Sequence, residues 1–267
     1  MAKYLLRGVT LLYLLFLLIV PIGLIGYRTF EDGFSPFWTA LTSDDAVHAF
    51  KVTLIVAVWA VLLNTVFGVG AALLLVRGRI PGKRLLSALI DLPLAVSPVI
   101  VGLALILVYG SFEPIGRWFG DRGVQIIFAV PGMVLATVFV SLPLVVRAIV
   151  PVLQEMGNEQ EQAAHTLGAG RWATFWRITI PGIRWALAYG VVLCLARALG
   201  EYGAVAVVSG RVVGQTQTAT LFVEERYQNF DTVSAYATAT ALALIAIVAL
   251  LIAKLLDRGA LKRSEKH

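Results

Sequence analysis

Arg197 and Glu201 are two charged side chains inside an otherwise apolar stretch of the sequence, and their types and spacing suggest chemistry. Residues four apart share one face of a helix, so the two can pair. A charge surrounded by lipid is costly unless it is paired or lines a polar cavity. The pattern therefore predicts either an internal ion pair that locks helices together or a polar lining for an ion path. A Glu201 neutralised by Arg197 is compatible with passage of an anion, which an isolated carboxylate would repel.

Motifs for catalysis are missing from the sequence. It contains no nucleotide-binding G-x-x-x-x-G-K-[ST], no H-E-x-x-H and no G-x-S-x-G pattern. The nearest approach to the first, 78–84, has one residue too few between its glycines and an arginine where a Mg²⁺-binding hydroxyl is needed. The histidines are dispersed, and the one cysteine, Cys194, can form neither a metal cluster nor an intrachain disulfide. We expect no enzyme activity, no metal site and no cofactor on this chain.

Composition indicates that lipid surrounds most of the chain. Hydrophobic residues make up 59% and charged residues 14%, with a mean hydropathy of +0.84, whereas soluble domains carry about 25% charged residues. The apolar residues also form long blocks. The net charge of +6 would suggest nucleic acid in a soluble protein. Here the basic residues flank the apolar blocks, so we expect no nucleic-acid partner.

Six apolar blocks are long enough to span a bilayer as helices, which need about 20 residues for a core of about 30 Å. The blocks are continuous rather than alternating, which argues against a membrane β-barrel. We therefore predict an all-α, polytopic integral membrane protein, with residues 1–267 forming a single transmembrane domain. The predicted spans are 8–27, 51–76, 85–109, 124–147, 185–208 and 233–254.

Orientation follows from the distribution of the 22 lysines and arginines. Six spans place both termini on one side, and most basic residues fall on that side, which the positive-inside rule assigns to the cytoplasm. The first apolar block runs from about residue 9 to 27, which is longer than the apolar core of a secretory signal. We predict that it is retained as the first span.

The longest cytoplasmic connection, 148–184, has its own local structure signals. Asn158 is a good N-cap residue, and Glu161 follows at the spacing of a capping box. Gly168 is suited to the left-handed conformation that ends a helix. The pattern predicts a helix of about nine residues, followed by a second short helix that starts at Arg171 and stops at Pro181.

The small, weakly apolar face of this predicted helix consists of Ala163, Ala164 and Leu167. The helix could lie on the membrane surface, but such helices carry bulky apolar anchors and basic residues on the polar side. This segment has alanines and glutamates instead. Its composition favours insertion into a groove of a partner protein.

At this loop the sequence resembles the permeases of ATP-driven (ABC) importers, whose EAA loop reads Glu-Ala-Ala, three residues, Gly, nine residues, Ile-x-Leu-Pro. Both spacings are kept here, with Gln162 in place of the glutamate and Ile180 in place of the leucine. The resemblance implies a type I (MetI-like) ABC importer permease fold with six transmembrane helices. It also implies that the loop is a coupling helix that docks on an ATPase subunit. The docking candidates are Glu161, Gln162, Ala163, Ala164, Leu167 and Gly168.

Further stretches resemble the oxyanion branch of these permeases, particularly the sulfate/thiosulfate subunits. They are 92–99, 107–111, 196–210 and 214–218. Molybdate and tungstate permeases share a related Arg-Ala-Leu-Gly-Glu segment and are the alternative. By resemblance we expect a bacterial inner membrane location, a homologous second permease, a soluble sulfate-binding protein and an ATPase dimer that holds the ATP and magnesium. Possible pore-lining residues are Ser97, Tyr202 and Ser209.

A rival interpretation is a secondary transporter driven by an ion gradient. That class is marked by paired discontinuous helices and inverted repeats. We find no convincing internal repeat in the sequence and no isolated carboxylate suited to a proton relay. These observations favour the ATP-driven importer.

Overall fold

The computed structural model describes residues 2–31 and 33–264, giving only the backbone of residues 2, 3, 5, 18 and 257–264. Within these ranges the chain is helical and contains no strand, which confirms the predicted all-α class. In chain order the helices are α1 (Ala2–Leu14), α2 (Val20–Phe30), α3 (Phe34–Leu41), α4 (Asp44–Val76), α5 (Lys83–Ala95), α6 (Pro98–Tyr109), α7 (Pro114–Gly120), α8 (Val130–Met156), α9 (Glu159–Thr166), α10 (Arg171–Thr174), α11 (Ile180–Leu199), α12 (Gly203–Val208), α13 (Ala219–Gln228) and α14 (Thr232–Ser264).

In the described residues five continuous helical segments are long and apolar enough to cross a membrane, and α5 with α6 makes a sixth if the bent pair is one span. The predicted spans 8–27, 51–76 and 233–254 each fall within such a segment. Helix α4 begins where Ser43 accepts the Ala46 amide hydrogen, with Asp44 and Asp45 in the first turn, where the helix dipole favours acids. At 33 residues it is about 50 Å long.

The predicted span 85–109 is not one straight helix. The chain bends by 112° between α5 and α6. We call the connection, Val96 and Ser97, the elbow. Pro98 lacks an amide hydrogen and disfavours helical geometry in the residue before it, and Ser97 is accordingly extended, with ψ at 133°.

Two other spans differ from their predicted bounds. The helix expected over 124–147 is α8, which starts after Phe128, whose φ is +62°, and continues to Met156. The helix expected over 185–208 runs without interruption from Arg171 to Leu199 and is then broken by Gly200–Tyr202. The non-helical part of the predicted loop 148–184 is therefore much shorter than expected.

Pro181 does not stop the helix that starts at Arg171, contrary to the prediction. A π-helical turn, Phe175–Thr179, joins α10 to α11, and the amide of Ile180 donates to the carbonyl of Phe175. The wider turn shifts the hydrogen-bonding register, so that Pro181 falls in the first turn of α11, where its missing amide hydrogen is not needed.

The centre of the bundle is formed by α4, α8 and α11. Buried Val145, Ile149 and Ile183 pack in the half nearer α9, and Val56 and Met133 pack in the opposite half. Large apolar side chains remain exposed along α1, α2 and α14, as suits a surface that faces lipid.

A polar link crosses this centre. The Asn64 amide donates to Ser141 Oγ at 2.8 Å and lies 3.4 Å from Cys194 Sγ. All three side chains are fully buried, so the link ties α4, α8 and α11 together at one level of the bundle.

Close approach of α4 and α8 at Gly68 is required for this packing, and we expect Gly68→Val to weaken it. A β-carbon at Gly68 would lie 2.9 Å from Val145 Cγ1, whereas one at Gly70 would have nothing within 4 Å. Overpacking of this kind costs about 1–3 kcal/mol. Thermal unfolding of the purified chain in detergent should show a lower midpoint for Gly68→Val and a near-native midpoint for the control Gly70→Val. Equal midpoints for the two variants would contradict this account of the packing.

Candidate functional site

The first candidate site is helix α9, which lies in the loop between α8 and α10 as expected. It spans Glu159–Thr166, one residue shorter than predicted. Gly168 has a φ of +85°, which confirms its predicted left-handed conformation. Its amide donates to the His165 carbonyl at 3.0 Å, and the Ala169 amide donates to the Ala164 carbonyl at 2.9 Å. These bonds satisfy carbonyls at the end of α9.

The predicted capping box at the start of α9 is wrong. Asn158 is in the N-cap position but its side chain accepts no capping hydrogen bond. Glu161 turns toward the membrane helices instead. Its Oε2 lies 3.1 Å from Arg77 Nε, and its Oε1 accepts a hydrogen bond from Thr179 at 3.0 Å. A guanidinium partner stabilises a carboxylate more than one backbone amide does, which explains the choice.

The outward surface of α9 carries small and polar side chains, with one large apolar residue directly after the helix. Gln162, Ala163 and Gly168 are exposed, and Leu167 is 88% exposed. Ala164 is half-buried, so the predicted face of Ala163, Ala164 and Leu167 only partly points away from the protein. A leucine this open, directly after a helix with no buried residue, is the kind of anchor that a helix inserts into a groove.

Aromatic residues beside α9 were not among the sequence candidates. Trp172 and Trp176 are both exposed, and each contacts the ring of Phe175. Tryptophan is enriched at membrane interfaces and at protein contacts. The spacing of four residues on a predicted helix could have indicated this pair, since it places both rings on one side.

The second candidate site is formed by two interruptions of the membrane helices. One is the elbow before Pro98, and the other is the break at Gly200–Tyr202. They are adjacent, because a β-carbon on Gly203 would lie 3.0 Å from Pro98 Cβ. Cys194 on α11 is level with Asn64, about 18 Å from the α9 end of α4, and the break follows roughly 10 Å further from that end, within the helix bundle. Irregular backbone at such depth is tolerated where it is buried in protein or lines a water-filled cavity.

Arg197 and Glu201 pair at this break. Arg197 Nη1 lies 2.6 Å from Glu201 Oε2. Glu201 stands just beyond the last turn of α11, and its Oε1 accepts the Ala204 amide hydrogen at 2.9 Å. The Glu201 carbonyl accepts a hydrogen bond from Thr220 at 3.0 Å. The carboxylate thus supports the start of α12 as well as the arginine.

Exposure distinguishes the two charges. The Glu201 side chain is 2% exposed and the Arg197 side chain 38% exposed. The acid is therefore held inside the protein, while part of the guanidinium faces open space with hydrogen-bond donors available. This arrangement is compatible with both predicted roles, because the buried carboxylate locks the break and the guanidinium remains accessible.

The three possible pore-lining residues behave differently. Ser97 at the elbow and Tyr202 at the break are exposed. The prediction that Ser209 lines a pore is corrected, because Ser209 is buried, with 4% of the residue exposed. Its hydroxyl donates to the Thr216 carbonyl at 2.7 Å and accepts the Arg211 amide hydrogen at 3.0 Å. Ser209 holds a loop together rather than facing a cavity.

A second ion pair between helices of the bundle was missed from the sequence. Arg147 on α8 donates to both carboxylate oxygens of Asp91 on α5, and also to Ser87 at 2.8 Å. Both charged side chains are more than a third exposed. An acidic residue within the apolar span 85–109 was the available signal. Within residues 2–31 and 33–264, no group of three or more histidine, cysteine, aspartate or glutamate side chains could hold a metal ion.

Comparison with known proteins agrees with this architecture. Residues 64–262 match the family model described as binding-protein-dependent transport system inner membrane component. The chain is 48% identical to the sulfate transport system permease protein CysW of Synechocystis sp., covering 96% of this chain and 93% of that protein. It is 44% identical to CysW of Escherichia coli K12, covering 96% and 88%.

Among solved structures, a bacterial alginate ABC transporter in complex with an alginate pentasaccharide-bound periplasmic protein superposes with a TM-score of 0.74. It is 18% identical, and the match covers 96% of this chain and 93% of that one. The structural likeness indicates a shared fold. The sequence matches extend over nearly the whole chain, and it therefore belongs to the family of inner membrane components of binding-protein-dependent transport systems, the permeases of ABC importers.

Proposed function

We propose that this chain is the membrane-spanning subunit of an ATP-driven importer of sulfate and the similar anion thiosulfate. The assignment of the substrate rests on the sequence identity of 44–48% with permeases named for sulfate transport. The match covers at least 88% of those proteins, so the comparison concerns the whole subunit. A guanidinium that offers hydrogen-bond donors at the paired interruptions is compatible with such a substrate.

ATP hydrolysis is assigned to a partner chain. Helix α9 docks into a cleft of an ATPase subunit, with Gln162, Ala163 and Leu167 presented to the partner. Their exposure and the likeness to an EAA loop support this assignment. ATP and magnesium are bound by an ATPase dimer, and this chain contributes the mechanical link.

The remaining partners follow from the family. A second, homologous permease completes the pore, and a soluble binding protein delivers sulfate from the other side of the membrane. The alginate transporter with its periplasmic protein supports a partner of that kind. ATP binding draws the ATPase subunits together and moves the docked helices. The resulting rigid-body motion switches the pore from opening toward one side of the membrane to opening toward the other.

The path for the anion passes the elbow and the break at Gly200–Tyr202. Arg197 offers donors to an oxyanion, while Ser97 and Tyr202 supply further polar groups. The buried Glu201 neutralises the arginine when no anion is present, which lowers the cost of holding a charge at this depth. A permanently unpaired arginine would hold a divalent anion too tightly for release.

The whole chain, 1–267, is proposed as one membrane domain of the inner membrane with cytoplasmic termini. Basic residues near the α9 end, such as Arg79, Lys83 and Arg84, support this orientation. The terminal residues Lys3, Arg258, Lys262, Arg263 and Lys266, which favour the same orientation by sequence, have side chains outside the described part of the structure.

A secondary transporter remains the contrasting class, and one of its marks is in fact present. Two helices of this chain are discontinuous and lie together, which the sequence did not indicate. Discontinuous helices therefore do not separate the two classes here, and membership of the importer family is what favours ATP as the energy source.

Uptake of radiolabelled sulfate tests the proposed function directly. The chain is expressed with its neighbouring ATPase, second permease and binding protein in cells that lack their own sulfate permeases. We expect ATP-dependent uptake that excess thiosulfate inhibits and excess molybdate inhibits weakly. Uptake of molybdate with no uptake of sulfate would assign the subunit to the alternative oxyanion, and uptake that depends on an ion gradient alone would contradict the importer.

Charge on the exposed face of α9 should prevent docking. We expect Leu167→Asp to reduce co-purification of the ATPase and sulfate uptake about tenfold or more, because burying an unpaired carboxylate in a groove is unfavourable. The chain should still insert into the membrane. Gln154→Asp is the matched control, since it adds the same charge at an exposed position on α8 outside α9 and should leave both measurements near normal. Full ATPase binding by Leu167→Asp would show that α9 is not the docking element.

The role of Arg197 is separated from that of the ion pair by comparing single and double variants. Arg197→Ala leaves Glu201 buried and unpaired, so the yield of folded protein should fall. Arg197→Ala combined with Glu201→Ala should recover the yield, measured as monodisperse protein in detergent, without recovering uptake. Recovery of uptake along with the yield would mean that the pair is structural and that Arg197 does not contact the anion.

A further inference from the structure

The polar side-chain contacts between helix α9 and the membrane helices are made by one residue of α9, Glu161. Among the described residues of α9, Glu161 is the only one whose side chain forms an ion pair or hydrogen bond with the membrane helices. Its partners are Arg77, directly after α4, and Thr179, in the π-helical turn before α11. The other side-chain bonds of this segment stay within it, from Thr166 to the Gln162 carbonyl and between His165 and the Ala169 carbonyl. The orientation of α9 therefore depends strongly on Glu161.

Arg77 is the first partner of Glu161 and follows directly after α4. Besides approaching the Glu161 carboxylate, its guanidinium donates to the Gly157 carbonyl, just before α9. The Arg77 and Glu161 side chains are 18% and 17% exposed, so water screens their attraction less than it would at an open surface. Arg77 Nε is not aligned for a hydrogen bond, which makes the contact with Glu161 chiefly electrostatic.

Thr179 is the second partner, and it comes from the opposite side of the loop. It is buried and belongs to the π-helical turn that leads into α11. Its hydroxyl binds one Glu161 oxygen while Arg77 approaches the other. The end of α4, the start of α9 and the start of α11 thus meet at a single carboxylate, and we call Arg77, Glu161 and Thr179 the joint.

We propose that the joint fixes α9 in its docking orientation and passes its displacement to α4 and α11, with Arg77 and Glu161 as positioning residues. This inference rests on the proposed function, and it removes Glu161 from the docking surface to which the sequence assigned it. Helix α11 leads from the joint to Arg197, about 26 Å further along its axis. A movement of α9 can therefore reach the break beside Arg197 through one continuous helix.

The contrast between Glu161 and Glu159 supplies a matched control. Both acids lie in the first turn of α9, where each interacts with the helix dipole. Glu159 is exposed and makes no described contact with another helix. Glu159→Gln removes one negative charge from the same turn and leaves the joint intact.

The test uses the complete importer in lipid vesicles and follows a nitroxide attached at Gln160→Cys, an exposed position of α9 outside the docking candidates, in a Cys194→Ser background. Spectral mobility of this label reports the order of α9 without any substrate. On the same vesicles, sulfate transported per ATP hydrolysed and the amount of bound ATPase are measured. The variants are Arg77→Met, Glu161→Gln, Thr179→Val, the conservative Arg77→Lys and the control Glu159→Gln.

We expect Arg77→Met and Glu161→Gln to mobilise the label and to lower transport per ATP about fivefold, while bound ATPase stays within about twofold of normal. Thr179→Val should show a smaller effect in the same direction, Arg77→Lys should recover at least half of the loss, and Glu159→Gln should match the unmodified importer.

Two results would overturn the joint. One is unchanged label mobility and unchanged transport per ATP in both Arg77→Met and Glu161→Gln. The other is loss of bound ATPase in Glu161→Gln as large as in Leu167→Asp, which would make Glu161 a docking contact. Label mobility is measured without substrate, so it tests the joint whichever anion the importer carries. Transport of another oxyanion would therefore refute the sulfate assignment without deciding the outcome for the joint.

Discussion

The backbone of a membrane protein has no water to bond with in the hydrocarbon, and the rest of this structure depends on that constraint. Continuous helices satisfy it over most of the chain. The two interruptions lie against each other, and the break at Gly200–Tyr202 uses side chains as substitutes. Glu201 accepts the Ala204 amide hydrogen, and Thr220 donates to the Glu201 carbonyl. Polar groups with hydrogen-bonding capacity to spare are thereby concentrated at one place in the bundle.

Charges within the bundle obey a related rule. Arg197 and Arg147 each face a carboxylate, and Arg77 does so near α9. Pairing lowers the cost of burying each charge, yet Arg197 and Arg147 remain partly exposed. A neutralised but accessible guanidinium suits a subunit that passes an anion, since it offers donors without a strong permanent field.

The bundle centre links the loop that holds α9 to the interruptions. Helices α4, α8 and α11 pack along their length, and the Asn64 contact with Ser141 and Cys194 joins them at one level. Close-packed helices transmit displacement as units rather than absorbing it locally. The same three helices therefore support both candidate sites.

The sequence by itself determined the membrane environment, the helical class and the short helix in the loop, together with the left-handed Gly168 at its end. These features depend on hydropathy and on local spacing. The 112° bend at the elbow, the helix that continues through Pro181, the pairing of Asp91 with Arg147 and the burial of Ser209 were decided by the tertiary structure. Glu161 illustrates the reason. Local spacing assigned it to a capping box with Asn158, but folding brings Arg77 and Thr179 to it from distant parts of the chain, and their combined attraction exceeds that of a single backbone amide.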